Sequence, residues 1–164
     1  MKTRFLSPAV GIGSASAPGR PDGDFTCLHC HGLVTSNRLS AGVRHRNHCP
    51  YCLWSRHLDL FQAGDRLAAC KAGMQPVGLT VKLTDKKYGP DRSCELMLIH
   101  ICVGCGRPSI NRIAADDHAA TVFETYQRSL LMDSMTAGRL EACGIRALGA
   151  ADLLLVRARL FGVS

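Results

Sequence analysis

Six of the nine cysteines fall into three C-x-x-C pairs, Cys27/Cys30, Cys49/Cys52 and Cys102/Cys105. A two-residue spacer turns the chain tightly enough to aim both sulfurs at one point, so two such pairs complete one tetrahedral metal site. Cys27-x2-Cys30-x18-Cys49-x2-Cys52 has the spacing of a structural zinc ribbon, and these four residues are expected to bind one Zn²⁺. Disulfides would instead require an oxidising compartment. Nothing at the start argues for one, because Met1 to Val10 carries Lys2 and Arg4 but no apolar run of the kind a secretory signal needs.

The third pair needs two more donors for a second Zn²⁺. Cys70 follows the polar turn around Ala63 to Arg66 and is the best candidate for the third ligand, whereas Cys94 and Cys143 sit in apolar patterns and are read as ordinary buried thiols. For the fourth ligand His57 is preferred. His100, two residues before Cys102 on the same strand, is the alternative, with Cys94 or an open position behind it. The expected metal set is therefore Cys27, Cys30, Cys49, Cys52, His57, Cys70, Cys102 and Cys105, although spacing also permits the pairs to be exchanged between ions. A redox role for one C-x-x-C is disfavoured by the presence of three. His29, His31, His45 and His48 crowd the first site, where loop positions are the simplest reading and hydrogen bonding to ligands the functional one.

Only 5% of the 164 residues are aromatic, so the cysteine-rich half lacks the bulk that stabilises a small core and metal cross-links fit that need. The formal charge is +7. Seven thiolates around two dications would lower it to about +4, a mildly basic balance. The densest basic cluster, Arg38, Arg44, Arg46 and Arg56, lies among the first two pairs, where a phosphate-contacting face is sought first. The apolar stretches Leu96 to Ile99 and Leu153 to Val156 are far shorter than the roughly 20 residues of a membrane span. A cytoplasmic setting is expected, with an organelle-targeting function for residues 1 to 20 as the alternative.

Residues 1–23 are expected to form a flexible tail rich in Ser, Ala, Gly and Pro. Residues 24–118 form the zinc-binding domain, and 119–164 a helical extension. Val77, Leu79, Val81 and Leu83 alternate as in a half-buried strand, and Cys94 to Cys102 forms a second, more continuously apolar strand. Joined through the polar turn around Asp85 to Arg92, they make a hairpin that delivers Cys102 and Cys105 at its open end. Ala119, Val122, Phe123, Tyr126 and Leu130 recur at helical spacing, with Asp116 and Asp117 suited to the helix N-terminus. A second helix is expected over Asp152 to Phe161, with Gly138, Gly144 and Gly149 as breaks before it. The fold class is a small zinc-stabilised α+β domain: a zinc-ribbon or knuckle-like core with short β-hairpins, plus C-terminal helices.

Residues 44 to 59, Arg-His-Arg-Asn-His-Cys-Pro-Tyr-Cys-Leu-Trp-Ser-Arg-His-Leu-Asp, resemble the RNHCP domain family, whose name is the string Arg46 to Pro50. The resemblance extends to Phe25-Thr26-Cys27 with Cys30, Gly64-Asp65-Arg66 followed by Cys70, Met74, Pro76, His100 with Cys102-x2-Cys105-Gly106, Asn111-Arg112-Ile113-Ala114 and Asp116-Asp117, covering roughly residues 25 to 118. It implies a zinc-binding domain and supports the ligand assignment, without implying a reaction. The chain departs from the pattern where His31 rather than glycine follows the first pair, which is expected to alter that turn. The pattern also singles out Arg46, Asn47, His57, Asp59, Asp65, Arg66, Asn111, Arg112, Asp116 and Asp117. Structural roles are expected, with Asn47 and Asp59 holding loop amides or orienting ligands. A catalytic reading would instead gather Asp59, Asp65 and Asp116 around an open metal position.

The expected function is a non-catalytic zinc-binding module contacting RNA, in a translation or ribosome setting, through Arg38, Arg44, Arg46 and Arg56, with Tyr51 and Trp54 as stacking groups. The alternatives are a protein-interaction adaptor using the C-terminal helices and, behind it, a metal-dependent hydrolase. Cys49→Ser is expected to unfold the cysteine-rich half, since structural Zn²⁺ contributes on the order of 10 kcal/mol to small metal-dependent folds; a variant that melts like the parent overturns the first site.

Overall fold

A computed structural model describes residues 23–84 and 93–162. Residues 1–22 of the expected tail and the turn from Asp85 to Arg92 lie outside the described residues. Two strands of two residues each, β1 (Phe25–Thr26) and β2 (Leu33–Val34), pair antiparallel around the first C-x-x-C and lead into a short helix, α1 (Arg38–Ala41). The second C-x-x-C precedes β3 (Ser55–Arg56), the edge of an antiparallel four-stranded sheet in the order β3, β4 (Gly73–Thr84), β5 (Ser93–Cys102), β6 (Pro108–Arg112). Three helices follow: α2 (Ala119–Ser129), α3 (Ser134–Ala142) and α4 (Leu153–Phe161). This is the expected α+β class.

The β4–β5 hairpin runs in register from Met74 opposite Cys102 to Thr84 opposite Ser93, and is longer at its open end than the alternation of apolar residues indicates. That alternation holds for Leu79 and Val81, which face Leu98 and Leu96 and pack in the core. It fails at both ends: Val77 falls where the register shifts between Pro76 and Gly78, and Leu83 is 63% exposed. The shift brings Gly78 under α2, where a Cβ would lie 2.9 Å from that of Ser129, so only glycine permits this approach.

One core joins sheet and helices: Leu79, Leu96 and Leu98 from the hairpin, Leu53 from the second knuckle, Val122 and Tyr126 from α2, Leu148 from the loop after α3, and Val156 from α4. The Leu148 amide also donates to the Leu79 carbonyl at 2.8 Å, giving β4 a partner where β3 has ended. By contrast the first knuckle layer has a buried cluster of only Cys27, Val34 and Cys49, with Phe25 and Cys52 packed against it.

Asp116 and Asp117 do not cap α2, whose N-cap is His118 without a side-chain cap bond. Stronger partners take them. The Arg46 guanidinium, fully buried, meets Asp116 at 2.6 Å and the fully buried Asp117 at 3.2 Å. Asp117 also engages His48 Nε2 at 2.8 Å and accepts the Ala114 amide at 2.8 Å. Backbone bonds from Ala115 to the Ala41 carbonyl and from His118 to that of Pro50 complete a strap that lays the entry to α2 across the first metal layer.

α3 occupies a stretch where glycines are expected to break the chain, and the correction has a local cause. Asp133 caps it by accepting the Thr136 amide at 2.8 Å and the Thr136 hydroxyl at 2.7 Å. Gly138 sits inside the helix, exposed, and Gly144 with φ 71° follows its C-cap. Cys143 is exposed at that C-cap and Cys94 half-buried, so neither is the fully buried thiol expected.

Asp117→Ala leaves Arg46 buried with a lost partner and is expected to destabilise the metal-loaded chain by about 3–5 kcal/mol. Asp116→Ala, at a more exposed position, is expected to cost about 1 kcal/mol or less. Urea denaturation compares them; equal small losses would refute the strap.

Candidate metal centres

The three C-x-x-C segments fold identically at the backbone. In each, the first cysteine's carbonyl accepts from the amide four residues on (His31, Leu53, Gly106), at 3.0, 2.9 and 2.9 Å. Its own amide donates to the carbonyl five residues on (Gly32, Trp54, Arg107), at 2.9, 2.9 and 3.0 Å. The residue after each pair turns into the left-handed region, with φ of 60° at His31, 61° at Leu53 and 73° at Gly106. His31 therefore does not alter its knuckle. It adopts the same turn as glycine, in a conformation that costs a non-glycine residue roughly 1–2 kcal/mol.

The first centre joins the β1–β2 turn to the segment before β3. Cys27, Cys30, Cys49 and Cys52 present their sulfurs within 4.8 Å of one another, with Cys27 to Cys52 and Cys30 to Cys49 both at 3.6 Å. The second centre lies where the strands of the large sheet converge. His57 follows β3 and is tied to β4 through its amide and the Ala72 carbonyl at 2.9 Å. Cys70 precedes β4, Cys102 ends β5 and Cys105 opens the turn to β6. Their donor atoms also lie within 4.8 Å, with Cys70 to Cys102 at 3.6 Å and Cys105 Sγ to His57 Nδ1 at 3.3 Å. Gly104 lets this cluster close, since a Cβ there would meet that of Ala72 at 2.9 Å and the Cys70 sulfur at 3.2 Å.

These spacings fit a central cation. A tetrahedron with metal–sulfur bonds of about 2.3 Å has sulfur–sulfur edges of about 3.8 Å, and a sulfur–nitrogen edge near 3.6 Å. All nine cysteines are free thiols in the structure. The electrostatics point the same way, because burial pushes the Cys49 and Cys52 thiols up, and at Cys52 the neighbouring Cys30, Cys27 and Cys49 push further. Burial also opposes the Cys102 thiolate, but hydrogen bonds from the amides of Cys105 and Gly104 outweigh it and bring Cys102 down to about 6. The four sulfurs of the first cluster, and likewise the three of the second, can all ionise together only around a positive charge. Both clusters could thus hold a metal ion, and the donor sets suit zinc.

Every residue of the expected ligand set falls in one of the two clusters, without exchange of pairs. His100, the alternative, is elsewhere. It is fully buried, its Nε2 donating to the Leu53 carbonyl at 2.7 Å and its Nδ1 accepting from Asn111 Nδ2 at 2.9 Å. Burial, with His48 alongside, pushes His100 down to about 3, so it is a neutral brace between β5, β6 and the second knuckle.

The carboxylates of the catalytic reading are committed elsewhere, Asp116 to the Arg46 guanidinium and Asp59 and Asp65 to backbone amides. Asp65 accepts the amides of Leu60, Phe61, Gln62 and Leu67 at 2.8 to 3.1 Å, which holds its carboxyl well below the usual range. Asp59 accepts those of Gly64 and Arg66 at 2.9 and 3.2 Å. Among the described residues no carboxylate belongs to either cluster. One relation had no signal in the spacing: His29 lies flat on Trp54, ring centroids 4.3 Å apart and planes 8° from parallel.

Two four-donor knuckle clusters on a small α+β scaffold define a cysteine-rich metal-binding class. Within it, the chain belongs to the RNHCP domain family, whose family model matches residues 22–123. No match was found among curated proteins or among solved structures.

His31→Gly is expected to raise stability by about 1 kcal/mol by relieving the left-handed turn. Leu53→Gly, at the equivalent position, is expected to lower it by about 2–5 kcal/mol, because the Leu53 side chain is wholly inside the core. Guanidinium melts at saturating zinc decide; destabilisation by His31→Gly would show that its side chain, not its backbone, is what the knuckle needs.

Proposed function

We propose that the chain is a non-catalytic zinc-binding module that contacts RNA, in a cytoplasmic translation or ribosome setting. The observation that carries the first half is that each cluster already offers four protein donors, three or four of them sulfur. A tetrahedral Zn²⁺ bound by four protein ligands has no coordination position for a water to be activated, and such closed shells cross-link chain rather than catalyse. The residues held this way are Cys27, Cys30, Cys49 and Cys52 for one ion and His57, Cys70, Cys102 and Cys105 for the other.

The RNA reading draws on Arg38, Arg44 and Arg56, all exposed around the first knuckle layer. Arg46 leaves this set. Its guanidinium is buried between Asp116 and Asp117, so it offers no charge to a phosphate. A protein-adaptor reading is favoured by a different observation, the exposure of Leu131 at 89%, Met135 at 79% and Leu154 at 74% on the C-terminal helical region. No helix among the described residues is long and apolar enough to cross a membrane.

Zinc analysis of the native chain is expected to return two ions, with absorption at the zinc edge showing only sulfur and nitrogen neighbours; an oxygen ligand in either shell would overturn the closed-site reading. Affinity for RNA is expected to fall with rising salt, log K dropping by about 0.7 per tenfold rise in salt for each phosphate contact to a single strand. Absence of binding at low salt would remove RNA, and salt-insensitive capture of a protein would favour the adaptor.

A further inference from the structure

A groove of about 630 Å³ runs between the β1–β2 hairpin and the second knuckle, within the roughly 300–1,000 Å³ of small-molecule sites. Its apolar wall includes Phe25, Leu28, Trp54 and Leu58, and its polar wall Asn47 and Arg56. The stacked His29 and Trp54 rings line it together. Each ring rides on a different knuckle of the first centre. The Trp54 carbonyl accepts the Cys49 amide at 2.9 Å, and the His29 amide points to the Cys27 sulfur at 3.4 Å. Behind the indole, a Cβ on Gly73 would lie 3.3 Å away, so β4 backs the ring. A metal ion that fixes both knuckles therefore fixes the aromatic pair in advance of any ligand, which lowers the entropic cost of binding.

We propose that this groove binds an unpaired base of single-stranded RNA, stacked on the Trp54–His29 pair, with its phosphate at Arg56. The inference rests on the RNA reading above and names the form of RNA and the residues that take it. Aromatic faces bind any base, at about 1–3 kcal/mol each, whereas bases inside a duplex are already stacked and unavailable.

Charge sets the orientation. Four thiolates around a dication would leave a charge of about −2 beside Cys27, against about −1 for the three thiolates of the second centre, so phosphate is repelled most from the Cys27 end. Arg56 is exposed, its Nε donating to the Lys71 carbonyl at 3.5 Å, and among the described residues no carboxylate pairs with it. It also lines the adjoining hollow of about 230 Å³ together with Arg107 and the Asp59 carboxylate, itself held by the Gly64 and Arg66 amides, and the two guanidiniums are the cations offered there to the next phosphate. Asp24, on the rim, is turned to the Ser36 amide at 2.8 Å and the Thr35 hydroxyl at 3.2 Å.

Trp54 is the only tryptophan, so its fluorescence reports on this groove alone. The zinc-loaded full chain is titrated with a short mixed-sequence single-stranded RNA and with the same sequence as a duplex, while anisotropy of labelled RNA follows affinity. Saturable quenching by the single strand is expected, with the duplex binding at least about tenfold more weakly. His29→Ala, at an exposed position, and Trp54→Leu are each expected to weaken single-strand binding about tenfold, with zinc content unchanged. Arg56→Gln is expected to weaken it and to lessen the salt slope by about one contact. If both RNA forms bind equally, Trp54 fluorescence does not respond and His29→Ala binds like the parent, the groove is refuted while the RNA reading stands. If no RNA binds at low salt, both fall.

Discussion

Four sulfurs held within a few ångströms of one another repel as thiolates and are costly to bury as a group, and a divalent cation at their centre turns that repulsion into a cross-link. The fold depends on this interaction unequally in its two parts. The β1–β2 layer has two-residue strands and a buried cluster of three residues, two of them cysteines. It has almost no apolar core of its own, and its hairpin meets the second knuckle through the first metal centre. The four-stranded sheet has a continuous core shared with α2 and α4. There the second centre clamps the converging strand ends of a structure that already buries much of its apolar surface.

Between the two parts runs a buried polar chain. Arg46 and His48 converge on Asp117, and one knuckle further along the Leu53 carbonyl is held by His100, itself held by Asn111. Buried charges are tolerated only where their hydrogen-bonding capacity is met, and Asp117 meets this with a guanidinium, an imidazole and a backbone amide. The Arg46-Asn47-His48 string thus acts inward. Its arginine and histidine anchor the approach to α2, and the Asn47 carbonyl receives the Ser55 hydroxyl at 2.8 Å. Such inward use removes Arg46 from any role at the surface.

The metal clusters are largely legible in the sequence, because a C-x-x-C turn is local chemistry: two residues of spacer aim two sulfurs whatever surrounds them. The hairpin of β4 and β5 and the helices α2 and α4 are legible from their periodicity. The features that are not legible there were decided at longer range or by a competing partner. Asp116 and Asp117 resemble helix caps in one dimension, yet lie 70 and 71 residues from Arg46 in sequence and bond to it. The Asp133 cap of α3 is visible in principle as Asp-x-x-Thr, but Gly138 within the same segment weighs against a helix.

The sequence by itself determined the C-x-x-C donors, their pairing into turns and their suitability for a cation, since these follow from residue type and short spacing. Tertiary structure decided which histidine faces the second cluster, for His57 and His100 are chemically equivalent until the β3–β4 and β5–β6 pairings set their positions. It also decided that Arg46 is buried while Arg56 is exposed, and that His29 meets Trp54. Each of these depends on segments brought together through space, where sterics and desolvation choose among side chains that composition and spacing leave equal.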